Sequence, residues 1–271
     1  MPKTSEAAVE LVIPHHVEIV DDELLAEATM PNRRDAKPAA LHDFIKLNPN
    51  NNDAICRFAQ KWGTMGVCEK HGLPFSHAVT GQSTPLCYPR KVNRNGIPFY
   101  AEPLAFWRHC ILKATALLRL GAEVREGRKG RRADWLIIEP TTGSWDTAGW
   151  ATKHPEPWQH LPTARSLFAS KIQAWLDVGG VRPRFSWDPR QRRWAIHHTT
   201  PNDVLWPLFG WLGIRLMIEV SGGRVTVCPY CQTEYFPQRL PGRDQDHCCG
   251  EPECKRAYFT AHKRKQRAGN T

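Results

Sequence analysis

Apolar residues recur every three or four positions in four stretches of the 271-residue chain. In NNNDAICRFAQKWG, Ile55, Phe58 and Trp62 share one face behind an asparagine cap, and Gly63 stops the run, which predicts a helix. EPLAFWRHCILKATALLRLGAEV carries the longest stripe, with Pro103 at its start and Trp107, Ile111, Ala114 and Leu118 in line. TARSLFASKIQAWLDVGG predicts a third helix, capped by Thr163 and ended by Gly179. NDVLWPLFGWLGIRLMIEVSGG predicts a fourth, ending at Gly222. Pro207, Arg215 and Glu219 interrupt its apolar run, so it reads as a buried helix and not a membrane span. RFSWDPRQRRWAIHH alternates with period two around a Pro-Arg turn, the pattern of a β-hairpin. Residues 64–102 and 140–162, rich in Gly and Pro, read as loops, and EGRKGRRADW reads as a basic turn. Residues 1–40 are acidic, end in TMPNRRDAKPAA and predict little order.

Charge sharpens this picture. The chain carries 37 Lys and Arg against 27 Asp and Glu, for a net charge of +10. The excess is uneven: residues 1–45 hold nine acids and four bases, whereas the last seventeen residues hold six bases and no acid. A basic chain favours polyanions such as nucleic acid. The N-terminus has no apolar core and no small-residue cleavage site, which points to the cytoplasm. In that compartment close cysteine pairs indicate metal rather than disulfides.

Such pairs stand near the C-terminus. Cys228-Pro-Tyr-Cys231 is a C-x2-C pair, and Cys249 and Cys254 form a C-x4-C pair after seventeen intervening residues. Zn2+ takes four soft ligands in a tetrahedron, and a C-x2-C turn supplies two from one knuckle. The residues between the pairs, around LPGR, are expected to form two short strands that bring the pairs together. Pro252 suits the first turn of a helix over PECKRAYFTAHKRKQR, with Cys254 in that turn. Of the adjacent Cys248 and Cys249, only one is expected to ligate. Cys249 gives the more compact turn, and Cys248 is the alternative. Four protein ligands leave no open position, so the site is expected to be structural, and no catalytic motif is visible.

The segment CPYCQTEYFPQR…CCGEPECKRAYFTAHKRKQR resembles the CGNR-type zinc fingers at the C-terminus of bacterial transcription regulators. The resemblance covers residues 228–267 and implies that Cys228, Cys231, Cys249 and Cys254 are ligands, with a nucleic-acid-binding helix after them. The Cys-Gly-Asn-Arg of those fingers reads Cys254-Lys255-Arg256-Ala257 here. The chain is thus expected to be mainly α. An acidic, weakly structured segment (1–40) would precede a mostly helical domain with a short β-hairpin (41–222). A small treble-clef-like zinc finger (223–271) would close the chain.

On the last helix Arg256, Lys263 and Arg267 fall on one face with Arg264 beside them. Cys254, Tyr258 and Ala261 fall on another. Lys255 adds to the basic set, and Arg239 and Arg243 can join from the preceding segment. The expected function is that of a DNA-binding transcription regulator, with duplex DNA as partner and the helical domain sensing a ligand or mediating assembly with itself or another protein. The alternative is a zinc-stabilised protein-interaction module that touches no nucleic acid. A second zinc site is conceivable at Cys68, His71, His77 and Cys87, but buried thiols and loop histidines are the favoured reading of that loop.

Overall fold

A computed structural model of the chain describes residues 10–27, 32–66, 90–138, 159–179, 182–188, 193–199, 208–221, 225–231, 233–237 and 245–268. The protein is mainly α, with seven helices among the described residues and small antiparallel sheets beside them. It divides into two compact units, residues 1–112 with 172–215, and residues 113–171 with 216–271.

The first unit opens on strands where little order is expected. β1 (Glu10–Ile13) pairs with β4 (Asn32–Asp35), while β2 (Val17–Val20), β3 (Glu23–Glu27), β5 (Arg90–Arg94) and β6 (Ile97–Pro103) form one antiparallel sheet in the order β2-β3-β6-β5. Two tight turns make this sheet. Asp21 and Asp22 adopt positive φ between β2 and β3, and Asn95 and Gly96 do so between β5 and β6. These are the left-handed turns whose twist suits a two-residue hairpin. The expected weak structure of residues 1–40 is therefore corrected over 10–27 and 32–40: Leu11, Ile13, Val17, Leu24 and Leu25 are buried, and His15, His16, Asp21 and Asp22 are exposed between them. The expected loop over 64–102 is likewise corrected at its end, where β5 and β6 stand.

The predicted helices form. α1 (Ala39–Ile45) precedes α2 (Asn52–Trp62), in which the Asn51 side chain accepts a hydrogen bond from Ala54 N at 3.0 Å. Gly63 ends α2 with φ +99, at a place where any side chain would strike the Val12 carbonyl. α3 (Leu104–Arg125) follows Pro103 directly, and its first half buries Trp107 against Phe44 and Phe58. α5 (Leu161–Val178) starts two residues earlier than expected, so Thr163 lies inside its first turn and hydrogen-bonds His160 at 2.9 Å. α6 (Leu208–Ser221) stacks Phe209 on Trp175 of α5 at 4.5 Å between ring centroids. β7 (Arg182–Asp188) and β8 (Arg193–Thr199) form the expected hairpin. No helix among the described residues is long and apolar enough to cross a membrane.

The second unit gathers the end of α3, α4 (Arg132–Ile138), the start of α5, the end of α6 and the C-terminal segment. Leu117, Leu120, Trp135 and Ile138 are buried in it. Val220 of α6 and Phe168 of α5 close on Gly121, where a side chain would not fit.

Candidate metal centre and basic helix

Two short strands frame the first cysteine pair. β9 (Thr226–Val227) and β10 (Glu234–Tyr235) are antiparallel, with Glu234 opposite Val227 and Tyr235 opposite Thr226. The Cys228 N–H donates to the Thr233 carbonyl at 2.9 Å and closes the turn. The hairpin thus contains the knuckle, whereas the sequence reading placed it afterwards. The physical reason is that a C-x2-C knuckle is already a reversal, so the chain leaving it runs back along the chain entering it. LPGR lies outside the described residues. After residues 245–251, α7 (Pro252–Ala268) begins at its proline as expected, and Lys255 N–H donates to Glu251 O at 2.9 Å.

The knuckle and the first turn of α7 bring four sulfurs together. One Sγ from each of Cys228, Cys231, Cys249 and Cys254 lies within 4.8 Å of the others, and Cys231 and Cys249 are 3.7 Å apart. A tetrahedral zinc with bonds of about 2.3 Å separates its sulfurs by about 3.8 Å, so the spacing and donor set fit that ion. Of the adjacent pair it is Cys249 whose sulfur joins the cluster, and Cys248 stands half-buried beside it. Cys228 and Cys254 are buried, and Cys231 is at the rim.

Four close thiols oppose one another's ionisation. Burial pushes Cys231 up, but hydrogen bonds from Thr233 and the neighbouring thiols outweigh it and bring the group down to about 7. Burial and the surrounding sulfurs hold Cys254 well above its ordinary value, and burial raises Cys249. A divalent cation would remove this opposition, because metal-bound thiols deprotonate. Beside the cluster, burial and then the charge of Cys228, Cys248 and Cys249 push Tyr235 up to about 12. Its hydroxyl shares a 2.8 Å hydrogen bond with His247 Nδ1, which ties the strand after the knuckle to the chain entering the second pair. The sequence reading missed this contact. Its only signal was an aromatic residue after one pair and a histidine just before the other.

The knuckle strands are also held by buried charge. Arg119 of α3 donates from Nε to both Asp134 carboxylate oxygens at 3.1 Å and pairs through Nη1 with Glu234 of β10 at 3.3 Å. The side chains of Asp134 and Glu234 are 2% and 4% exposed, so Arg119 is what makes their burial tolerable. Arg131 adds a bond to Asp134 at 3.2 Å, and Arg125 Nη2 donates to the Val225 carbonyl at 2.7 Å.

No family model matches the chain. No curated protein matches it either.

α7 has two faces. Cys254 is buried, and Ala257, Tyr258 and Ala261 are half-buried on the cysteine side. Lys255, Arg256, Lys263 and Arg264 are exposed. Arg239, Arg243 and the side chain of Arg267 lie outside the described residues, as do Cys68, His71, His77 and Cys87. The sequence reading passed over Phe259, which is 60% exposed on the basic side of the helix.

Proposed function

We propose that the chain is a cytoplasmic zinc-finger protein of CGNR type that binds nucleic acid, DNA foremost, as a transcription regulator. The observation that carries this reading is the division of α7: its inner face supplies a sulfur to the four-cysteine cluster, while its outer face exposes Lys255, Arg256, Lys263 and Arg264. When bound, zinc would cross-link the knuckle to the first turn of α7 and contribute folding free energy, of about 10–16 kcal/mol in comparable modules. With four protein ligands it would have no open position, which makes it a structural site and not a catalytic one. The cations of α7 then meet phosphate oxygens, which fix position without reading sequence. Neutralising about four phosphates gives a slope near −3.6 in log affinity against log salt.

The test changes Arg256, Lys263, Arg264 and Arg267 together to Ala and measures binding to duplex DNA. The expected result is loss of binding with zinc content and helicity intact. Duplex binding equal to that of the parent would overturn the assignment to α7.

A further inference from the structure

Phe259 occupies an unusual position on α7. On a helix, residues three and four positions away are a side chain's surface neighbours, with about 5–6 Å between Cβ atoms. For Phe259 these are Lys255, Arg256, His262 and Lys263, and all four are exposed. An exposed aromatic ring therefore stands inside a frame of basic side chains, one turn before it and one turn after. The ring is steadied by Tyr258, whose centroid lies 5.5 Å away in an edge-on arrangement. No acid follows Glu253 in the helix.

This combination selects its partner by chemistry. Anionic groups on both sides of a flat apolar surface are what a nucleotide strand offers when a base is out of its stack. A closed duplex presents phosphates to the cations but keeps its bases stacked away from the ring. A membrane surface would call for a broad apolar face, and Phe259 is the one strongly exposed large apolar side chain among the described residues of α7. The Thr260 hydroxyl is occupied, donating to the Arg256 carbonyl at 2.9 Å. The residues around the ring are thus three cations, Lys255, Arg256 and Lys263, together with His262, and no carboxylate stands among them to repel a phosphate.

Resting on the reading of α7 as a nucleic-acid surface, we infer that Phe259 is a base-stacking residue and that α7 prefers DNA with unpaired bases, as a single strand or a locally opened duplex. Its neighbours Lys255, Arg256 and Lys263 hold the phosphates that flank the stacked base.

The experiment uses the full-length, zinc-loaded protein and one fluorescein-labelled oligonucleotide of mixed sequence. This is offered as a DNA single strand, as a closed duplex, as a duplex with a central bubble and as the RNA strand, with binding read by fluorescence anisotropy at fixed salt. The single strand and the bubble should bind more tightly than the closed duplex. F259A should weaken those two roughly 5- to 150-fold, the range of one base–aromatic stack, and leave closed-duplex affinity nearly unchanged. F259W should restore the preference and F259L should not. Zinc content and helicity should match the parent in each variant, because the ring is exposed.

The triple variant K255A/R256A/K263A should weaken every DNA form. If it does so while F259A is silent, or while F259A weakens the closed duplex equally, the stacking role is wrong and the charge reading stands. If the parent binds no DNA form, both fail. Tighter binding of the RNA strand overturns the DNA assignment. Displacement of the bound single strand through Phe259 by phosphatidylserine vesicles or by polyglutamate would replace the nucleotide partner with a membrane or an acidic protein.

Discussion

Glu102, the last residue but one of β6, is buried and accepts three hydrogen bonds, from Met65 N at 3.2 Å, Gly66 N at 2.8 Å and Trp107 Nε1 at 2.8 Å. Burial raises its carboxyl from an ordinary 4.5 to about 7, against the pull of those donors. Between these values the folded chain holds a proton that the unfolded chain has released. The contribution of this group to stability is therefore fully present at low pH and lost as pH rises from 4.5 to about 7. E102Q removes the titration and keeps the volume. In urea unfolding across that range, the variant should show a flatter dependence on pH than the parent; parallel curves would exclude the role. Arg119 makes a second residue-level case. R119M leaves Asp134 and Glu234 buried without their cation and should lower unfolding stability by about 3–5 kcal/mol, read from the denaturant midpoint. Neither residue was legible in the sequence, because single acids and bases scattered along a chain do not announce which will meet. The Asn95-Gly96 pair was legible and was passed over. It is a direct hairpin signal, here hidden at the end of a long stretch rich in Gly, Pro and His.

At the scale of elements, the long helices could be read because each repeats its apolar residues over several turns. α2, α3, α5 and α6 appear where the three-to-four spacing put them. Strands of four or five residues such as β1 to β4 give too few repeats to be distinguished from a polar linker. In the cysteine segment the ligand spacing identified the knuckle and the helix start, since metal geometry constrains both. The partner of β10 could not be read that way, because pairing depends on which segment lies alongside. The dependence of α7 on the cluster can be measured. C254S removes the sulfur that joins the helix to the knuckle, so zinc content should fall and the far-ultraviolet helix signal should drop with it. An unchanged spectrum would mean that α7 stands without metal.

At the scale of the whole molecule, charge and metal give two further outcomes. Metal analysis of the intact protein should return one zinc per chain. A value of two would show that Cys68, His71, His77 and Cys87 hold another ion. Removal of the ion by a chelator should abolish DNA binding and lower the melting temperature together, because the same four sulfurs order the helix that carries the exposed cations.

The cysteine segment also shares its compact unit with residues 113–171, and that companionship has a practical consequence. A C-terminal piece excised at residue 223 would keep all four sulfurs, yet Glu234 would leave Arg119 behind and the Val225 carbonyl would leave Arg125 behind. Grafted onto a foreign carrier, such a piece would bring an orphaned acid to its own hairpin. A faithful transplant must either include the arginine-bearing part of α3 or replace Glu234 with a neutral side chain.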